Sequence, residues 1–239
     1  MKRNLWTAAM VAGGVACTSG ASLSIINADR FVQSGGSITE DGSTVAYDGG
    51  SISGPVTGWW ADSAGTAVNF GGGSVNGAGT QSSDFTKTGL FFTGIADISA
   101  GGYVTTITDP EGNTTDIIGE GSGASSSYFR VRFSIAYTGL WRFAASSLEL
   151  DGGTAEVYFT DGWGNIQYSV GGGGADQLDL LVPAGTYEIW GHAQAGVTAT
   201  GSTFAAARSE FAGSFTPVPS PGWAGLVCVG IAAGARRRR

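Results

Sequence analysis

The stretch YFRVRFSIAY, residues 128–137, decides the fold class because apolar side chains occupy every second position in it. Successive side chains of a β-strand point to opposite faces, whereas the helical period would scatter the apolar positions around the axis. The stretch therefore predicts a strand with one face in a core. The residues predicted to face that core are Phe129, Val131, Phe133, Ile135 and Tyr137.

The same alternation continues on both sides of this stretch, interrupted by turn signals. Asp151-Gly-Gly, Asp161-Gly-Trp-Gly-Asn and the glycines at 171–174 separate later apolar segments, and a hairpin is predicted around residues 109–113. Short strands at this spacing predict an all-β fold, an antiparallel β-sandwich of jelly-roll type. We expect one domain over residues 22–215, flanked by two terminal hydrophobic helices. The alternative is a second small β unit ending near Ser99.

Composition supports a folded domain with an acidic surface. The chain has 239 residues, 42 of them Gly, without a collagen period, and its 11% aromatic and 13% charged residues do not fit a disordered chain. Glycine is expected mainly in tight turns. Without the basic residues at both termini, 6 basic and 19 acidic residues remain, a net charge near −13. Nucleic acid is therefore not expected as a partner, because its phosphates require a basic surface.

The N-terminus has the layout of a secretory signal peptide over residues 1–21. A basic pair, Lys2 and Arg3, precedes an apolar run from Leu5 to Ala16, and small residues lead to an expected cleavage before Ser22. In the alternative, Cys17 is lipidated and the protein is a lipoprotein. The second cysteine, Cys228, lies in the C-terminal apolar segment, so the domain itself has no disulfide, thiolate metal site or cysteine nucleophile.

The C-terminal segment, residues 216–239, combines prolines, a short apolar run and a basic end. The sequence Pro219-Ser220-Pro221 is followed by an apolar run from Trp223 to Ala235 and then by Arg236, Arg237, Arg238 and Arg239. This order resembles the PEP-CTERM sorting signal of bacteria that make exopolysaccharide, with Ser220 where that signal usually has Glu. The resemblance implies transient insertion of a C-terminal helix in the inner membrane, cleavage by an exosortase-type enzyme and release to the cell surface or matrix. A permanent single-span anchor is the alternative.

No catalytic constellation is recognised in the predicted domain. His192 is its single histidine, and no serine lies in a Gly-x-Ser-x-Gly motif. Carboxylate pairs for glycoside cleavage stay open, with Glu149 and Asp151 or Glu156 and Asp161 as the pairs near turns. We predict no cofactor, with Ca²⁺ as an alternative because oxygen ligands concentrate in one turn. The candidate calcium ligands are Asp109, Glu111, Asn113 and Asp116.

Aromatic residues in or near loops are the best indication of ligand binding. Neighbouring side chains on a strand point oppositely, so Trp59 and Trp60 cannot both face a core. Trp163 lies in a turn between glycines. These three tryptophans are the candidate glycan contacts. Two functions remain open: a non-catalytic surface or matrix protein associated with exopolysaccharide, and a secreted enzyme or carbohydrate-binding module acting on that polysaccharide.

Overall fold

The computed structural model describes residues 22–218, which form thirteen β-strands. Within this range, no helix is long and apolar enough to span a membrane. The strands are β1 (Leu23–Glu40), β2 (Ser43–Ser53), β3 (Gly58–Phe70), β4 (Gly73–Thr86), β5 (Gly89–Gly101), β6 (Tyr103–Thr108), β7 (Thr114–Ile135), β8 (Gly139–Leu150), β9 (Thr154–Asp161), β10 (Ile166–Gly171), β11 (Ala175–Val182), β12 (Gly185–Thr200) and β13 (Phe204–Pro217).

The strands form two antiparallel sheets. Sheet I has the order β10-β9-β12-β7-β1-β2, with β6 paired to one end of β7, and sheet II has the order β11-β8-β13-β5-β4-β3. Both sheets combine strands from the two halves of the chain. For example, β5, which contains Ser99, is hydrogen-bonded to β13.

The stretch that predicted the fold forms the C-terminal part of β7, the longest strand at 22 residues. Phe129, Val131 and Phe133 are fully buried, and Ile135 is nearly so, which confirms the predicted alternation. The prediction for Tyr137 is wrong, because β7 ends at Ile135 and the Tyr137 side chain is 72% exposed. Alternation identifies the face of a residue only while the strand continues.

Aromatic rings fill the part of the core beside this stretch. The ring of Phe129 lies 4.4 Å from that of Phe92 and 5.5 Å from that of Phe211, which are 6.4 Å apart, so the three rings form one cluster. Further along, the rings of Trp141 and Phe215 are stacked at 4.8 Å. Large rings of this kind dominate the burial energy of a core.

Small residues line the interior where the sheets meet along the middle of β7, residues 119–127. Cα atoms of β1 and β4, which belong to different sheets, approach within 8 Å, compared with about 10 Å between typical stacked sheets. A Cβ on Gly79 of β4 would press against the main-chain oxygen of Ser126 and lie 2.7 Å from that of Gln33. Ser34 and Ser125 share a buried hydrogen bond of 2.9 Å between their hydroxyl oxygens. Glycine is therefore needed for sheet packing, in addition to the ten described glycines with positive φ.

The predicted jelly-roll-like sandwich with two flanking helices is wrong as stated. A jelly roll has eight strands, whereas residues 22–218 form thirteen, including three consecutive strands (β3, β4 and β5) that are neighbours in one sheet. The described chain contains strands and turns but no helix, and the two segments predicted as helices fall largely outside it. The all-β, antiparallel, two-sheet part of the prediction is confirmed. Alternation reveals which face of a strand is buried, but it carries no information on which strand is its partner.

Candidate functional site

The outer face of sheet I presents two adjacent rows of polar and aromatic side chains. In the first row, Arg132 of β7 lies between Asn27 of β1 and Glu188 of β12. In the second row, Arg130 lies between Asp29 and Trp190. The period of two in β7 places both arginines outside because Val131 and Phe133 are inside.

Two surface cavities meet at Arg132. The larger, about 490 Å³, extends from Arg132 to Asp161, Trp163, Thr186 and Tyr187. The smaller, about 220 Å³, is lined by Ile26, Asn27, Asp29, Arg130, Arg132 and Glu188. We call these two cavities together the Arg132 groove.

An irregularity in β1 forms part of the wall of the smaller cavity. The register between β1 and β7 shifts between Ile25 and Asn27, so Ile26 has no partner in β7 and its side chain is 53% exposed. A bulge of this kind changes the direction of the neighbouring side chains and is common beside binding sites. Here it adds one apolar side chain to a cavity that is otherwise polar.

Trp163 lies in the β9–β10 turn beside the larger cavity and is 93% exposed. The Asp161 carboxylate accepts hydrogen bonds from the main-chain N–H groups of Trp163 and Asn165, at 3.0 and 2.9 Å, and from the Asn165 side-chain amide at 2.8 Å. Gly164 supplies the positive φ, 85°, that the turn requires. The indole is therefore held out from the surface on a turn with internal hydrogen bonds.

The pKa of Asp161 reflects the hydrogen bonds that its carboxylate accepts within the turn. Hydrogen bonds from the Asn165 side chain, and then from main-chain N–H groups, lower the pKa of the carboxyl below its ordinary value. Because these donors favour the charged form, the carboxylate stays ionised to a lower pH than an ordinary aspartate. Asp161 therefore acts as the structural anchor of the turn.

The same turn occurs at residues 109–113, where calcium ligands were considered. The Asp109 carboxylate accepts hydrogen bonds from the Asn113 main chain at 2.7 Å and from its side-chain amide at 2.8 Å, and Gly112 has a φ of 86°. Asp116 accepts a hydrogen bond of 2.6 Å from Thr106. Glu111 lies in the turn itself and is exposed. Among residues 22–218, no three His, Cys, Asp or Glu side chains are grouped so that they could hold a metal ion.

The charges in the Arg132 groove are unequally paired. Glu188 lies opposite Arg132 across the β7–β12 ladder, yet its carboxylate is ion-paired with Arg130 at 2.9 Å. The hydrogen bond with Glu188 raises the pKa of Arg130. Within the described range, Arg132 has no ion-pair partner, and its side chain is exposed between the two cavities.

Aromatic side chains continue the outer face of sheet I beyond the groove. The rings of Tyr158 and Trp190 are stacked at 4.1 Å, and the Tyr158 hydroxyl donates to Glu156 at 2.7 Å. His192 is the next outward residue of β12 after Trp190 and pairs with Tyr128 of β7. Burial lowers the pKa of His192, and the nearby Glu156 carboxylate opposes that effect.

The three predicted tryptophans lie in different environments. Trp60 is 9% exposed and packs with Val32 and Ala64 in a small cluster, whereas Trp59 is 70% exposed on sheet II. The two neighbours thus point oppositely, as the sequence predicted. Trp163 belongs to a turn of sheet I, so the structure does not bring Trp59 and Trp163 into one cavity.

The carboxylates considered for catalysis have structural contacts. Glu149 accepts hydrogen bonds from the main-chain N–H groups of Ala155, at 2.9 Å, and Gly172, at 3.2 Å. Asp151 lies in the β8–β9 turn with a φ of 52°. Glu156 accepts the Tyr158 hydroxyl proton, and Asp161 anchors the Trp163 turn.

Sequence reasoning missed Arg130, Arg132, Glu188 and Trp190 as members of one surface. Each alternates with a buried residue, so its outward direction could be read from the period of two. Their proximity could not be read, because it depends on the pairing of β7 with both β1 and β12. The sequence signal that could have found them was an aromatic or charged residue at the positions of a strand that alternate with the core positions.

Comparisons with known proteins do not assign a family. No protein-family model matches the chain, and no curated protein matches it. Among solved structures, the GH31 alpha-xylosidase from Xanthomonas citri is similar at a TM-score of 0.16 and 9% identity, over 66% of this chain and 28% of that chain. The match thus spans less than a third of the length of that enzyme, and a TM-score this low carries no argument about fold or function.

Proposed function

We propose that this chain is an exported surface or extracellular-matrix protein that binds polysaccharide through the Arg132 groove without catalysing a reaction. The observation that carries the proposal is the position of Trp163. Its ring is 93% exposed on a hydrogen-bonded turn, directly beside a cavity of about 490 Å³ whose walls are partly polar and partly apolar. Single exposed rings are common on protein surfaces, and the distinguishing feature of Trp163 is that its ring lines a cavity together with the Arg132 guanidinium.

A sugar ring has the two properties that this site would match. Its C–H faces pack on an aromatic ring, and its hydroxyl groups exchange hydrogen bonds with polar side chains. The turn is already ordered by the Asp161 hydrogen bonds, so little conformational entropy is lost on binding. A shallow, preformed groove on a sheet face suits an extended polymer better than a small enclosed ligand.

The terminal segments support the route to the polysaccharide. The signal-peptide pattern of residues 1–21 and the resemblance of residues 216–239 to a PEP-CTERM signal are sequence features and, apart from residues 216–218, lie outside the described residues. Together they support export, transient membrane insertion through the C-terminal apolar segment, processing by an exosortase-type enzyme and delivery with exopolysaccharide. The intact mass from medium and from cell envelope tests this route. New termini near Ser22 and Pro221 support it, and a mass that retains Arg236–Arg239 contradicts it.

Binding is tested by affinity gel electrophoresis in the exopolysaccharide of the host. Trp163→Ala is compared with Trp59→Ala, which removes another exposed indole ring, on sheet II. We expect Trp163→Ala to weaken retardation by at least about tenfold in apparent Kd, equivalent to ~1.4 kcal/mol. Trp59→Ala should leave it unchanged. Equal binding by both variants and the parent would contradict the proposal.

The non-catalytic part of the proposal has its own measurement. The protein is incubated with the same polysaccharide, and reducing ends and polymer length are followed over days. We expect no release of oligosaccharide. Chain shortening that disappears in Glu188→Gln or Asp29→Asn, the acids lining the smaller cavity, would replace the binding function by a glycoside-cleaving one.

A further inference from the structure

The structure points to a specific class of glycan, and we propose that the Arg132 groove selects sugars that carry an anionic group, with Arg132 as the residue that binds the anion. This inference rests on the proposed function and deepens it. Arg132 has Asn27 on one side and Glu188 on the other. Opposite charges at directly paired positions normally attract each other.

Glu188 is nevertheless engaged by a different arginine. Its carboxylate lies 2.9 Å from the Arg130 guanidinium, one row along the sheet. Asn27 is neutral and cannot neutralise a guanidinium. Within residues 22–218, the Arg132 charge is consequently left without an ion pair, exposed to solvent and at the junction of both cavities.

The acid that lines the larger cavity does not compete for Arg132 either. Asp161 is the acidic residue in its wall, and both carboxylate oxygens of Asp161 already accept hydrogen bonds from the Trp163 turn. The larger cavity therefore combines one ring available for stacking with one guanidinium available for an oxyanion. A guanidinium forms two parallel hydrogen bonds with a carboxylate or a sulfate, which a hydroxyl group cannot reproduce.

The acidic surface of the domain does not prevent this contact. The net charge near −13 is distributed over residues 22–218, and at physiological ionic strength exposed charges are screened beyond about 8 Å. A bound anion would contact Arg132 within that distance. The acids that line the two cavities are Asp161, Asp29 and Glu188, of which Glu188 is neutralised by Arg130. The overall charge should reduce the rate of encounter, while the local contact determines which sugars are retained.

The test uses glycans that differ only in the anion. Polygalacturonate is compared with its fully methyl-esterified form, and dextran sulfate is compared with dextran, each by isothermal titration with the purified full chain at 150 mM salt. The first pair tests a carboxylate and the second a sulfate on an otherwise equivalent polymer. We expect at least one anionic polymer to bind at least about tenfold more tightly than its neutral counterpart.

Three variants assign the effect to Arg132. Arg132→Gln should weaken binding of the anionic polymer by about tenfold and leave the neutral one unchanged, and Arg132→Lys should recover part of the loss because it retains charge without the planar fork. Arg142→Gln is the matched control, since it removes the same charge from a partly exposed arginine on sheet II, where Arg142 is paired with Asp179. An equal loss in Arg132→Gln and Arg142→Gln would show a general charge effect and overturn the inference.

The outcomes separate this inference from the proposed function. If Trp163→Ala abolishes binding while Arg132→Gln has no effect, the groove binds glycan but does not select anions. If neither variant changes binding of the host polysaccharide, the proposed function itself fails. If the parent protein retains the host polysaccharide but binds neither anionic polymer more tightly than its neutral counterpart, selection of anions is overturned and glycan binding stands.

Discussion

Replacing Gly79 by alanine tests the close approach of the two sheets. Gly79 is a buried residue of β4, and a Cβ there would press against the main-chain oxygen of Ser126 and lie 2.7 Å from that of Gln33. Gln33 and Ser126 are partners in the β1–β7 ladder, so neither oxygen can move without the other. Side-chain repacking cannot relieve this contact. We therefore expect the sheets to separate locally.

The size of the effect follows from two opposing contributions. Overpacking of a core costs about 1–3 kcal/mol, and the upper part of that range applies because the opposing atoms are main-chain oxygens. Alanine regains about 0.5–1 kcal/mol relative to glycine in a strand. The net loss in free energy of unfolding is about 2 kcal/mol, and for a chain of this size the melting temperature falls by about 4–8 °C.

Urea unfolding followed by tryptophan fluorescence measures the effect, with Gly196→Ala as the control. Gly196 lies in β12, where a new Cβ would meet its nearest neighbour, the Gly123 main-chain oxygen, at 3.9 Å. That is an ordinary contact, so the control should gain about 0.5 kcal/mol. If Gly79→Ala and Gly196→Ala have the same stability, the sheets are not in main-chain contact at Gly79 and the account of the glycine-rich strands is refuted.

Three further predictions concern single side chains of the domain. Hydrogen bonds lower the pKa of Asp161, so the carboxylate stabilises the turn fully above the ordinary carboxyl pKa, and this stabilisation is lost as pH falls through the lowered pKa. Asn165→Ala should raise the titration midpoint of Asp161 in carboxyl NMR, and an unchanged midpoint would contradict the role of Asn165. Burial lowers the pKa of His192, so the neutral imidazole stabilises the fold fully above pH ~6.5 and progressively less as pH falls through the lowered pKa. The urea midpoint should therefore decline from pH 7 to 5 less steeply in His192→Gln than in the parent, and an imidazole that titrates at or above pH ~6.5 in NMR would contradict this prediction. Arg30 is 2% exposed, donates to the Gly58 main-chain oxygen at 2.7 Å and lies 4.0 Å from the Phe85 ring centroid. In urea unfolding, Arg30→Ala should lower the free energy of unfolding by about 3 kcal/mol through lost packing and Arg30→Met by less than about 1.5 kcal/mol, whereas equal losses would show that the site requires the charge of Arg30 and not its volume.

Much of the local structure could be predicted from particular residues. Phe129, Val131 and Phe133 face the core as their spacing indicated. The Asp161–Asn165 segment forms a turn, as its glycines indicated. Alternation and turn chemistry act between near neighbours in the chain, so one segment contains all the information they need. The segment from Gly121 to Ser127 escaped prediction because it contains glycine, serine and alanine alone, which have no apolar period to detect. It is nevertheless part of β7.

The sequence by itself determined the all-β class and the faces of the best-patterned strands, together with turns such as the one that presents Trp163. Tertiary structure decided the pairing of β7 with β1 and β12, and with it the Arg132 groove. Asn27, Arg132 and Glu188 are widely separated in the chain and meet in one row across three strands. Their meeting depends on how the two sheets bury their apolar faces together, which is a property of the whole domain and of no single segment.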